Sequence, residues 1–131
     1  MPHAKLAFMA VCDPLSNNAG LARPQLAMVE IIEGLAGIDK DRMGNLKQAL
    51  NQAFDGAGKA TGAYKVGNLA VWHASSGNGA KSVCLFYTLG KMAGKDLGQL
   101  VAIGQHETST KYKLDWGRAV GDMATGKTLS I

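Results

Sequence analysis

The sequence predicts an α+β domain, an N-terminal strand and a two-helix hairpin packed on an antiparallel β-sheet. Three observations predict it. Residues 24–54 carry apolar side chains at helical spacing between recognisable helix start and stop signals. Residues 64–116 fall instead into short alternating or apolar runs bounded by turn residues. Finally, 131 residues of which 47% are apolar suffice for one core and are too few for two ordinary domains, so residues 1–131 are read as a single domain.

Each element has its own justification. Residues 5–11 (KLAFMAV) suit a short, mostly buried strand, and Asp13-Pro14 with Ser16-Asn17-Asn18 supplies turn chemistry after it. Pro24 fits the first turn of a helix, along which Leu26, Val29, Ile32 and Leu35 recur at helical spacing until Gly37 ends it. Asp39 is the expected N-cap of a second helix, with Asp41 in its first turn and an apolar stripe of Met43, Leu46, Leu50, Ala53 and Phe54. Gly56 and Gly58 stop it, and the short connection makes the pair an antiparallel hairpin.

In the second half, residues 64–74 and 81–89 flank Ser75-Ser76-Gly77-Asn78-Gly79, which reads as a five-residue hairpin loop. That loop would oppose Leu69 to Leu85, Val71 to Val83 and His73 to Lys81, with a bulge at Gly67-Asn68. Residues 90–96 read as a flexible, lysine-bearing connector. Beyond it lies the most strand-like stretch of the chain, residues 97–116 (LGQLVAIGQHETSTKYKLDW). A turn at Thr108-Ser109-Thr110 pairs Glu107 with Lys111, His106 with Tyr112, Gly104 with Leu114 and Ala102 with Trp116, placing small residues opposite large ones. After Trp116 the pattern weakens, and residues 117–131 are expected to be a less ordered tail.

Composition narrows the function classes. No apolar run reaches membrane-spanning length, and the N-terminus lacks the apolar core and cleavage site of a signal peptide, so no membrane association and a cytoplasmic location are expected. Cys12 and Cys84 sit in apolar sequence and read as buried thiols. The net charge of +4 is uneven: five basic and six acidic residues precede Lys59, whereas nine basic and four acidic ones follow from it. An anionic partner fits this excess, as does the plainer role of lysines in keeping a sheet soluble and its edges unpaired.

Residues 121–128 match the phosphate-loop pattern G-x-x-x-x-G-K-[ST] letter for letter. The pattern works by presenting helix N-terminal amides to phosphates, and only Leu129, Ser130 and Ile131 follow it, so a nucleotide site is rejected. His3, His73 and His106 form no close ligand motif, and neither cysteine belongs to a C-x-x-C pair, so no metal or cofactor is expected. Nucleophile motifs such as G-x-S-x-G are absent, and carboxylates are sparse in the second half.

What remains is a His/Tyr/Lys set. His106 exchanges protons near neutral pH, Tyr112 lies across the hairpin on the same face, and Lys81 supplies a positive charge. Lys91, Lys95, Lys111 and Lys113 are the candidate nucleic-acid contacts. Such groups suit cleavage of a phosphodiester with the RNA 2′-hydroxyl as nucleophile and no metal. The plainer alternative is a strand-end histidine satisfied by the backbone, with Tyr112 and Trp116 in the core.

The order of elements, with a basic bias and these residue types late in the chain, resembles the RelE/ParE-like toxins, small bacterial proteins that include ribosome-dependent mRNA endonucleases and gyrase inhibitors. The resemblance spans roughly residues 5–107. It implies helices packed on an antiparallel sheet, a metal-independent endoribonuclease acting on RNA at the ribosome, and an antitoxin-like protein partner. Residue types alone carry over, to Lys81, His106 and Tyr112. This chain departs from the family in its length, its long first loop, its extra strand through Trp116 and its lack of arginines on the sheet. The competing class is a non-enzymatic module that docks a protein partner through its sheet or helical face.

Overall fold

The computed structural model describes residues 2–13, 18–19, 22–66, 69–106, 112–117, 120–122 and 127–129, of which 12–13, 18–19, 62–66, 120–122 and 127–129 are described by backbone alone. The fold is α+β. Its elements are β1 (Phe8–Asp13), β2 (Asn18–Ala19), α1 (Gln25–Ala36), α2 (Lys40–Phe54), β3 (Lys59–Val66), β4 (Leu69–Ser76), β5 (Val83–Met92), β6 (Lys95–His106), β7 (Tyr112–Gly117), β8 (Val120–Asp122) and β9 (Lys127–Leu129). The main sheet runs β2-β1-β6-β5-β4-β3, with β7 also paired to β6. Strands β3 to β7 are antiparallel to their neighbours, whereas β1 joins β6 in parallel, which makes the sheet mixed. Because β5 occupies one edge of β6, β1 and β7 share the other, β1 along Leu97 to Leu100 and β7 along Ala102 to His106.

The helices follow their capping signals. Asp39 accepts from the amides of Asp41 and Arg42 at 3.0 and 3.1 Å, and Gly37 closes α1 in the left-handed conformation. Gln25, at the start of α1, donates to Asn51 near the end of α2, so the hairpin is antiparallel. The stripe of α2 is buried as expected through Leu46, Leu50, Ala53 and Phe54, joined by Ala49. That of α1 differs. Leu26 is 86% exposed and Leu35 is exposed as well, while Met28 and Ile32 are buried. Apolar residues occupy more than one face of α1, so spacing does not single out the buried one.

Helix-facing side chains meet Val83, Leu85, Tyr87, Leu100 and Ile103 of the sheet in the main core. The N-terminal segment is tied into that core: the His3 imidazole donates through Nδ1 to the Ala4 carbonyl and accepts through Nε2 from the buried Tyr87 hydroxyl, both at 2.8 Å. A Cβ at Gly58 would run into that hydroxyl.

Three register expectations change. Residues 64–74 are not one strand: β3 and β4 are antiparallel partners, with Val66 opposite Leu69, and the bulge assigned to Gly67-Asn68 lies outside the described residues. The β4–β5 connection is longer than expected, because Gly79–Lys81 forms a 3-10 turn and Ser76 pairs with Val83. His73 therefore faces Phe86 rather than Lys81. The shift is odd, so His73 and Val71 move to the face away from the helices. Residues 90–96 are not a loose connector. Strand pairing continues to Met92 and Lys95, closed by Ala93 and Gly94 at φ 51 and 77, the handedness of tight hairpin turns.

Leu50 has no exposed surface and packs in the main core. Leu50→Ala is expected to destabilise the protein by about 2–5 kcal/mol in urea unfolding. A change below about 0.5 kcal/mol would contradict this packing.

Candidate functional site

His106 ends β6, and a relay of hydrogen bonds holds it there. Its amide donates to the Ser82 hydroxyl at 2.8 Å, and that hydroxyl donates to the Gly79 carbonyl at 2.6 Å. The Ser82 carbonyl accepts from Arg42 Nε and Nη2 at 3.2 and 2.9 Å. Arg42 Nη2 also pairs with Asp115 Oδ2 at 2.8 Å, and Gln105 donates to Asp115 Oδ1 at 3.1 Å.

Asp115 lies two residues beyond Lys113, on the helix side of β7, where it meets Arg42, and it is also a bulge residue. Ile103 pairs with Trp116 and Gly104 with Leu114, leaving Asp115 between them without a partner opposite. Extra residues of this kind re-aim the side chains that follow, here Trp116, which packs with the helix-side core although Leu114 packs on the other face. The bulge corrects the expected pairing of Ala102 with Trp116, since Ala102 faces Gly117. Nearer the turn the predicted register holds: His106 faces Tyr112 and Gly104 faces Leu114. A Cβ at Gly104 would lie 2.7 Å from the Lys113 carbonyl oxygen, so only glycine fits there. The Glu107–Lys111 pair lies outside the described residues.

On the face away from the helices, four rings cluster. The His106 and Tyr112 centroids are 4.9 Å apart with planes tilted by 39°. Tyr112 meets Phe86 edge-on at 5.0 Å and His73 at 6.5 Å, and His73 stacks on Phe86 at 6.2 Å. Phe86 is fully buried among Val71, Cys84, Val101 and Ala102, while His73, His106 and Tyr112 are half-buried. Nδ1 of His73 and Nδ1 of His106 are both enclosed without a hydrogen-bond partner among the described residues.

Burial, and then the charge of His106, lower the proton affinity of His73; the Lys59 backbone acts in the opposite sense, and the Lys59 charge lowers it further. Burial also pushes the Cys84 thiol up to about 12, which leaves it protonated and inert.

The predicted lysines do not gather here. Lys81 reaches across to Asp41 of α2 at 3.3 Å, on the helix side. Lys91 pairs with Asp96 at 2.7 Å, and Lys95 lies 5.9 Å above the Phe8 ring. Both belong to the far end of the β5–β6 hairpin, on the order of 30 Å along the strand from His106. Lys113 is exposed and alternates with Tyr112, so it points to the opposite side of β7. Lys111 lies outside the described residues.

Conversely, His73 and Lys59 were missed. They face each other across β3 and β4, and the sequence signal that could have found the pair was the dipeptide Gly67-Asn68, which also reads as a break between two strands. Residues 83–88 (VCLFYT) are buried on both faces, so their pattern carries no parity to read.

The phosphate-loop match lies partly in β8 and β9, which pair with each other so that Asp122 faces Lys127. Thr128 thus belongs to a strand, not to a helix receiving phosphates. Among the described residues no His/Cys/Asp/Glu group of the kind that holds a metal occurs, and no helix is long and apolar enough to cross a membrane. No known family model matches the chain, and neither the curated proteins nor the solved structures contain a match.

A histidine whose proton affinity is lowered by folding favours the native state while neutral. Stability is therefore full above the ordinary imidazole pKa of about 6.5 and declines as pH falls below it. Urea unfolding between pH 7.5 and 5.5 is expected to show this decline, and His73→Phe to flatten it. A pH-independent wild type would contradict the environment described for His73.

Proposed function

We propose that this chain is a small RNA-binding protein that cleaves RNA without a metal, with His106 and Tyr112 as its acid–base groups. In the proposed step the 2′-hydroxyl oxygen attacks the adjacent phosphorus and gives up its proton to one group. The P–O5′ bond breaks, and the departing oxygen receives a proton from the other. The products are a 2′,3′-cyclic phosphate and a 5′-hydroxyl, so atoms and charge balance.

The single observation that carries this reading is the His106–Tyr112 pair, ring to ring at 4.9 Å and half-buried. No carboxylate side chain shares that face among the described residues: Asp115 turns to Arg42, and Asp96 is engaged by Lys91 at the far end. A phosphodiester approaching the two rings therefore meets no described negative charge. Lys81 is engaged by Asp41, so its role in this proposal is reduced to a peripheral cation. RNA, free or on the ribosome, is the proposed substrate, and an antitoxin-like protein the proposed partner.

A second reading, a non-enzymatic interaction module, is favoured by the dispersal of the described lysines Lys81, Lys91, Lys95 and Lys113.

Cleavage of purified RNA and of messenger RNA on programmed ribosomes decides between them. Wild type is expected to cleave in at least one assay. Loss of a general acid or base typically slows a reaction by about 10²–10⁴-fold, so His106→Ala and Tyr112→Phe are each expected to fall that far while remaining folded. Cleavage in neither assay would move the assignment to the interaction module.

A further inference from the structure

We propose that the β8–β9 hairpin is a cover that opens as a unit from the face of the sheet away from the helices, pivoting at Gly117. β8 lies against β3, and β9 lies against both β3 and β7. In the sheet β4, β5 and β6 separate β3 from β7, so the hairpin spans those three strands. The helices occupy one face, where Leu46, Leu50 and Phe54 pack with Leu85 and Ile103. The hairpin is left with the other face, which carries Val71, Cys84, Phe86, Val101 and Ala102. Val101 is 4% exposed and the other four are fully buried, although the helices pack on the opposite side; the cover accounts for that burial.

Two features make this cover separable. Among the described residues β8 and β9 pair with each other and with no strand of the main sheet, so no hydrogen-bonded ladder fixes them to it. Elements held in this way open locally at a lower free energy than the whole domain. The second feature is Gly117, the last residue of β7. Its φ of 111 favours glycine, and a Cβ there would lie 2.5 Å from the Val101 carbonyl oxygen and 2.6 Å from Ala102 Cα. The backbone thus leaves β7 in close contact with the cluster that the hairpin covers. Lifting the hairpin would uncover that cluster together with Tyr112, which packs against it and meets His106 at 4.9 Å. The cover thereby governs access to the candidate pair.

Cys84 is a built-in reporter, a free thiol with no exposed surface inside the covered cluster. The test is alkylation of the whole native chain with iodoacetamide at increasing urea. Peptide mass spectrometry separates Cys84 from Cys12, and tryptophan fluorescence follows global unfolding. In wild type Cys84 is expected to react at least about tenfold faster than global unfolding permits, at a rate nearly independent of urea below the transition. Gly117→Ala strains the closed form alone and is expected to speed that reaction about tenfold. Gly37→Ala is the control. Its φ of 63 strains alanine at the end of α1, which destabilises closed and open forms alike, so the Cys84 rate below the transition should stay unchanged. The wild-type measurement needs no variant, so it decides the matter even where Gly117→Ala fails to fold. Reaction of Cys84 no faster than global unfolding permits, with the full urea dependence, would overturn the cover. Equal acceleration by Gly117→Ala and Gly37→Ala would overturn the pivot at Gly117.

Discussion

The buried guanidinium of Arg42 ties together three parts of the chain that sequence order keeps apart. It sits in the first turn of α2, where a positive charge is disfavoured by the helix dipole. Asp39 and Asp41 offset that placement, but its reward is elsewhere: the Ser82 carbonyl before β5 and the Asp115 carboxylate on β7. Both side chains of the pair are largely buried, at 10% and 15% exposure. Removing one partner of such a pair typically costs about 3–5 kcal/mol, because the other charge is left stranded. Replacing both by apolar groups can cost far less, so the pair is better understood as setting register than as supplying net stability.

Register is what the candidate site needs. Ser82 holds the amide of His106, and Asp115 belongs to the strand that carries Tyr112. One cation therefore anchors both sides of the His106–Tyr112 contact from the opposite face of the sheet. The bulge at Asp115 also divides β7 between two faces: Trp116 packs with the helix-side core and Leu114 with the second cluster. Among the described residues, the ring-bearing groups thus collect on one face while the ion pairs lie on the other and at the rim.

How much of this could be read from the sequence depended on whether a local signal was selective. Helix α2 was legible because its cap and stripe agree, with Asp39 bonding the first-turn amides and Leu50 reaching full burial. The His106–Tyr112 register was legible because Gly104 and Leu114 fit no other way. The buried face of α1 was legible only in part since apolar residues surround the helix, and the β4–β5 register was misread since β5 is buried on both faces. The parallel entry of β1 depends on a contact with a strand more than eighty residues away, which no local pattern encodes. Nothing in the sequence singles out Arg42, because its partners Ser82 and Asp115 come together only in the tertiary fold.

The dependence of the site on Arg42 is open to direct measurement by nuclear Overhauser contacts between the His106 and Tyr112 rings, in wild type and in Arg42→Met. Wild type should show strong cross-peaks between the two rings, as their 4.9 Å centroid separation requires. In Arg42→Met those cross-peaks should weaken or vanish while the contacts between β4 and β5 persist. Ring-to-ring contacts of undiminished strength in Arg42→Met would contradict the anchoring role and assign the position of Tyr112 to strand pairing alone.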